Sequence, residues 1–336
     1  MYQIDETRML RAARISLPAN KPTPSIFKEG MIFLLVALIC SFMQSSVAAL
    51  YSTFAMITDP AYYELILSDD FGFASMMEYI FAFVNDTPSW MSAVSLAASG
   101  FMILGAIVYC KAFQKRGAFT LGFNKRGVLP EYLMGIVVGA VMISLPAIAC
   151  VYTKCVTLTA SSGTQPYMIV LYLLAFVLQG MGEEALFRGY LMTSLARRYN
   201  VWTAIICSAL MFAAFHSGNP NFSIIAFINI TLFGIFAGVF MLKRGSIWAI
   251  GAIHSAWNFV QSNVFGFSVS GNPKFDSLLT ATDNGFGSIL SGGEFGLEGG
   301  LGATIVLLIA ILFALLMPTK KSERVAPTTS TEQPTE

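Results

Sequence analysis

The sequence predicts an all-α membrane protein, a polytopic bundle of about eight transmembrane helices with both termini in the cytoplasm. Three observations lead to that class. Hydrophobic residues fill 55% of the 336 positions and charged residues only 12%, whereas a soluble domain carries about twice that charge. The apolar residues come in runs of roughly 20, the length that crosses a hydrocarbon layer about 30 Å thick. Cationic residues crowd into every second connection between those runs, as the positive-inside rule requires. Apolar surface on this scale exceeds what one aqueous core can hide, so lipid is the missing solvent.

Taken in order, the spans are Met31–Tyr51, Met91–Phe113, Glu131–Tyr152, Tyr167–Leu191, Val201–His216, Ser223–Leu242, Ile247–Val264 and Leu301–Met317. The first begins too late for a cleaved leader and is read as retained. Val201–His216 is the shortest. Phe71–Val84 is apolar but short and holds Glu78, which suits an interfacial helix better than a span.

The charges test the count independently. Arg8, Arg11, Arg14, Lys21 and Lys28 precede the first span. Lys111, Lys115, Arg116, Lys125 and Arg126 follow the second, and Arg197 and Arg198 the fourth. Lys243 and Arg244 follow the sixth, and Lys320, Lys321 and Arg324 the eighth. The alternate connections hold Asp59, Glu64, Asp69, Asp70 and Asp86, then Asp276, Asp283, Glu294 and Glu298, with Lys154 and Lys274 as their cations. An even number of spans and this alternation agree.

The chain then divides into a cytoplasmic segment 1–30, N-terminal transmembrane helices with an acidic external loop 31–165, and a core 166–265 bearing the polar residues described next. A Gly-rich external loop 266–300, a last transmembrane helix 301–317 and a tail 318–336 follow; the tail's Thr/Pro/Glu composition predicts disorder. Gly135 with Gly139, and Gly234 with Gly238, place small residues one turn apart for close helix packing. Asn229 is read as interhelical glue and Asn263 as a helix-end residue; Tyr190 and Trp257 are cavity lining or packing. The formal net charge of +1 leaves no basic stripe for nucleic acid. Cys40, Cys110, Cys150, Cys155 and Cys207 show no metal or redox spacing and imply no disulfide framework. Lipid is the implied partner, the oligomeric state is open, and the basic flanks favour the cytoplasmic membrane of a bacterium.

A charge at mid-membrane costs roughly 3 kcal/mol on insertion scales, so it marks a functional candidate. The fourth span contains Met181-Gly-Glu183-Glu184-Ala-Leu-Phe-Arg188-Gly-Tyr190. Glu184 and Arg188 lie one turn apart and can neutralise each other. Glu183 sits about 100° round the helix, without that partner and more available for chemistry. Both histidines of the chain fall in spans: His216 ends Phe212-Ala-Ala-Phe-His216, and His254 opens His254-Ser-Ala-Trp-Asn258. At about 1.5 Å per residue, Glu183 lies ~21 Å from Arg197, His216 ~22 Å from Val201, and His254 and Asn258 ~15 and ~21 Å from Arg244. Three spans thus bring polar groups to a similar layer.

Amide hydrolysis needs an activated water, a proton shuttle and donors to a developing oxyanion. Glu183 beside His216 can hold and deprotonate water, and His254 with Asn258 can donate to the tetrahedral intermediate. No cofactor is certain; the two histidines with Glu183 could instead ligate Zn²⁺ with a position open to water, although no HExxH motif is present. Two other classes stay open. Intramembrane acids with histidines also make ion or proton relays, though the other spans hold almost no ionisable groups to continue a path. A non-catalytic scaffold or an immunity or regulatory protein would keep the polar set for structure.

Glu183-Glu184-x-x-x-Arg188, Phe212-x-x-x-His216 and His254-x-x-x-Asn258 resemble, in that order, the three motifs of the CPBP family of intramembrane proteases (CAAX prenyl endopeptidase and bacteriocin-processing, also called Abi). The likeness covers about Met181–Phe259, so 166–265 becomes the expected catalytic core. It implies a CAAX-type endopeptidase acting on a membrane-associated protein or peptide. It also implies that Glu183 is general base with His216, that His254 and Asn258 form the oxyanion site, and that Glu184 and Arg188 support the geometry.

Overall fold

A computed structural model of the chain describes residues 7–16, 24–85, 87–285 and 288–320. Lys21, Asp86, Lys321, Arg324 and the predicted disorder of the tail beyond Lys320 lie outside the described residues. The helices are α1 (Arg8–Ile15), α2 (Ile26–Thr58), α3 (Pro60–Ile66), α4 (Phe73–Asn85) and α5 (Ser89–Ala112). After α6 (Val128–Tyr152) come α7 (Pro166–Ala196), α8 (Val201–His216), α9 (Ile224–Arg244), α10 (Ile247–Phe259) and α11 (Leu301–Leu316). Every predicted span is therefore helical, with bounds shifted by a few residues.

Among these, α2, α5, α6, α7 and α9 are long and apolar enough to cross a membrane, while α4, α8 and α11 give shorter apolar stretches. The apolar surface they leave uncovered is large. Leu38 is 63% exposed, Phe42 75% and Phe313 63%, which only a lipid environment accommodates. The chain is an integral membrane protein.

Local sequence sets the helix ends. Ser25, Asn200, Ser223 and Ser246 each accept a bond from a backbone N–H of the first turn of α2, α8, α9 and α10, satisfying donors that the helix itself cannot. Gly245, at φ 62°, ends α9 in the left-handed region open to glycine. With Ser246 capping the next helix at once, α9 and α10 fold back on each other across a two-residue turn.

The core gathers around α10, which is buried from Ala249 to Asn258. Glycines permit the approach. A Cβ at Gly135 or Gly139 of α6 would meet the carbonyl oxygens of Ala249 or Ile253 at 2.3 Å, and one at Gly180 of α7 would meet Ser255 backbone at 2.6 Å. Gly234 and Gly238 of α9 do the same against Ala209 and Ile205 of α8. From Glu184 to Ala196, α7 is buried without a break; over Ala185–Met192 it widens to a π-helix, a form common at functional sites.

The all-α expectation needs one amendment. Strand β1 (Val156–Ala160) pairs antiparallel with β2 (Leu279–Asp283), Val156 opposite Asp283 and Ala160 opposite Leu279. The alternating Val-Thr-Leu-Thr-Ala of β1 suits a strand with one covered face. The described residues of 266–300 correspondingly form a folded cap. Glu298 accepts from Ser270 N (2.8 Å), Ser270 Oγ (2.6 Å) and Trp257 Nε1 (3.2 Å). Asn229 Nδ2 donates to the carbonyls of Glu298 and Gly300, both at 2.8 Å, while its Oδ1 accepts from Thr304. Asn229 is glue between α9 and the segment leading into α11. Asn263 ends the helical run after α10 and donates to Asp276 O at 2.6 Å.

On the basic side, Arg116 departs from its reading as a loop charge. It is 1% exposed, with its guanidinium donating to Gln114 Oε1, Thr193 Oγ1 and Ser194 Oγ. Glu131 there receives Arg244 and Lys320.

Candidate active site

Helices α7, α8 and α10 supply the site. Glu184 is fully buried, and its Oε1 lies 3.1 Å from Arg188 Nη1 and 2.9 Å from His254 Nδ1. The predicted Glu184–Arg188 pair is thus present, with His254 as a third member. It is a charge contact: among the described residues no guanidinium nitrogen of Arg188 makes an aligned hydrogen bond. Arg188 instead lies with Cζ 4.3 Å from the ring centre of Phe212, a cation–π contact strengthened by burial. The same Phe212 ring packs 4.7 Å from His216 and 6.0 Å from His254, so it holds three polar groups apart and in place.

Glu183 faces elsewhere. Its side chain is 15% exposed, and Oε1 accepts from Gln179 Nε2 at 2.6 Å. Oε2 lies 3.7 Å from His254 Nε2 and has no hydrogen-bond partner among the described residues. The titratable neighbour brought to Glu183 is therefore His254. His216 shares the cavity with Glu183 and bonds through Nδ1 to Phe212 O at 2.8 Å.

These contacts fix tautomers. A carbonyl or carboxylate oxygen can only accept, so Nδ1 of both histidines carries a proton. With its second nitrogen unprotonated, the His216 ring offers a lone pair at Nε2. His254 presents Nε2 toward Glu183.

Asn258 Nδ2 donates to Gln179 Oε1 at 2.9 Å, which makes Gln179 a bridge between Glu183 and Asn258. The sequence reading passed over Gln179. The signal was available, since a glutamine inside an apolar span needs a partner and this one precedes Glu183 by one turn. Trp257 lines the cavity and donates to the cap; Tyr190 is buried against Phe33 and Tyr109.

The cavity, about 1160 Å³, is lined by Glu183, His216, His254, Asn258 and Gln179. The zinc alternative does not fit it: among the described residues no three His, Cys, Asp or Glu side chains are gathered to hold a metal ion. His254 Nδ1 is already engaged by Glu184.

Fold and site together define a polytopic membrane protein with buried and half-buried carboxylates and imidazoles beside a large cavity. Residues 165–260 match a family model described as type II CAAX prenyl endopeptidase Rce1-like, so over that segment the chain is similar to the intramembrane proteases that its three motifs resemble. The matched stretch contains every predicted site residue. No curated protein matches the chain.

Proposed function

We propose that the chain is an intramembrane endopeptidase that cleaves a membrane-associated protein or peptide with a water activated by Glu183 and His216. The observation that carries this reading is the unpartnered Glu183 Oε2 beside a cavity that His216, His254 and Asn258 also line. A buried carboxylate oxygen left without a donor is costly, and a water or substrate in the cavity would satisfy it.

In this mechanism Glu183 Oε2 and His216 Nε2 accept the two protons of one water. As the water oxygen bonds to the scissile carbonyl carbon, Glu183 takes one proton and the C=O pair moves onto oxygen. Asn258 Nδ2 keeps one hydrogen free after donating to Gln179, and His254, flanked by the carboxylates of Glu183 and Glu184, can carry a second proton on Nε2; both can donate to that oxyanion. Collapse breaks the C–N bond, and the proton on Glu183 passes to the leaving amine. Preorganised donors of this kind are strong where water is scarce. Glu184, Arg188 and Phe212 position His254 and His216 without touching substrate.

The test is a comparison of new protein and peptide termini in membranes carrying wild type or Glu183→Ala. Termini that vanish in the variant, while it accumulates and unfolds like wild type, support the peptidase. Identical termini in both refute it.

A further inference from the structure

We infer that the site opens to the extracytoplasmic side and takes an extended segment of an exported polypeptide, not the cytoplasmic tail of a prenylated protein. The inference rests on the peptidase reading for its substrate and on independent geometry for its direction.

The cavity and the cations occupy opposite ends of the bundle. Much of the exposed lining comes from the acidic connections, at Ser89, Ser162, Asn272, Lys274 and Thr280, with Ser92 of α5 and Phe215 of α8 exposed beside them. Among the described residues, its lining includes none of the cations of the basic connections. Those cations lie before α2, between α5 and α6, after α7, after α9 and after α11. By the positive-inside rule the basic end is cytoplasmic.

The cytoplasmic end is also plugged. The unbroken buried run Glu184–Ala196 lies between the site and the basic end. Arg116 ties its last turns to the connection after α5 through Thr193 and Ser194. Amphipathic α1 covers the same end, with Met9, Leu10 and Ala13 buried and Arg14 Nε donating to Ala196 O at 3.1 Å. By contrast, α8 stops at His216, so the site residue on that helix sits at its external end.

The wall chemistry speaks to the substrate. Ser89, Ser92, Ser95 and Ser99 recur every three or four residues along α5 and line the cavity together with Ser41 and Gln44 of α2. Hydroxyls and an amide can bond a peptide backbone that has no secondary structure of its own. An isoprenoid chain gains nothing from this row of hydroxyls; the apolar part of the lining, Phe176, Phe187, Phe212, Phe215 and Phe233, is set among the helices. Lys274 and Asp276 are the charges of the outer lining besides the buried Glu298, so the outer route carries almost no net charge.

Cysteine accessibility decides the direction without any activity assay. Ser162→Cys at the mouth and Ser95→Cys further in are made with the five native cysteines replaced, and Lys111→Cys serves as a cytoplasmic control. Spheroplasts are treated with a sulfonated, membrane-impermeant maleimide before and after permeabilisation. Full labelling of Ser162→Cys and Ser95→Cys before permeabilisation is expected, with Lys111→Cys labelled only after it. Labelling of Ser95→Cys only after permeabilisation, or only by an uncharged lipid-soluble maleimide, overturns the inference. Should Ser95→Cys fail to accumulate, Ser92→Cys reports the same wall. Adding Glu183→Ala leaves the labelling unchanged.

The termini comparison separates the two readings. Glu183-dependent termini within exported segments are expected; Glu183-dependent termini on cytoplasmic C-termini overturn the substrate inference alone. Their complete absence overturns the peptidase reading and, with it, the substrate, while the labelling still decides the direction of opening.

Discussion

Gln179 donates to Glu183 across one turn of α7, Nε2 to Oε1 at 2.6 Å, and so fixes which carboxylate oxygen is left without a hydrogen-bond partner among the described residues. The same amide accepts from Asn258, so one side chain sets the spacing between the proposed base and the proposed oxyanion donor. Gln179→Leu keeps the volume and removes both bonds. Its expected effect is a fall in kcat of about 10–100-fold with little change in KM, the pattern of an interaction realised in the transition state. Single-turnover kinetics on a cleaved peptide measures it, and an equal loss in KM would assign Gln179 to substrate binding instead.

Asn258→Ala removes a donor directly. Loss of one oxyanion donor costs about 10²–10³ in kcat, and the same assay should show it. Because Asn258 is fixed by Gln179, the double variant Gln179→Leu/Asn258→Ala is expected to be little worse than Asn258→Ala alone. Multiplicative losses would show that the two residues act independently.

The Glu184–Arg188 pair is a matter of stability. Both side chains are shielded from solvent, and removing one partner of a buried pair costs about 3–5 kcal/mol because the other charge is stranded. Arg188→Met is therefore expected to lower the unfolding midpoint in detergent markedly. Adding Glu184→Gln should recover part of the loss, since the buried carboxylate left with His254 as its one polar partner is gone. If the double variant is less stable than the single one, the guanidinium's contact with Phe212 outweighs the ion pair.

The division between what the sequence disclosed and what it withheld follows contact range. The helical segments were legible because each is a contiguous apolar run, and Glu184–Arg188 because its spacing is one helical turn. Strands β1 and β2 were not: each has five residues, too short to announce itself, and each pairs only with a segment more than a hundred positions away. His254 sharing Glu184 with Arg188 required knowing how α10 lies on α7, which Gly180 and Gly251 permit and no local pattern states. Arg116 reads as a loop charge in any tally; only the packing of α7 shows its burial.

The cap offers the last test, because a loop of this composition reads as open chain yet is built around one carboxylate. Glu298 accepts three bonds, from Ser270 N, Ser270 Oγ and Trp257 Nε1, and Trp257 belongs to the helix that carries His254 and Asn258. Glu298→Ala leaves those donors without an acceptor, and each buried donor so stranded costs about 1–3 kcal/mol. The bundle below is held by its own helix contacts, so the loss should appear locally. Hydrogen exchange over 266–300 is expected to accelerate by at least tenfold, while α6 and α10 keep their protection. Uniform acceleration across the chain would instead make Glu298 part of the global fold, and unchanged exchange would mean that water replaces the carboxylate without cost.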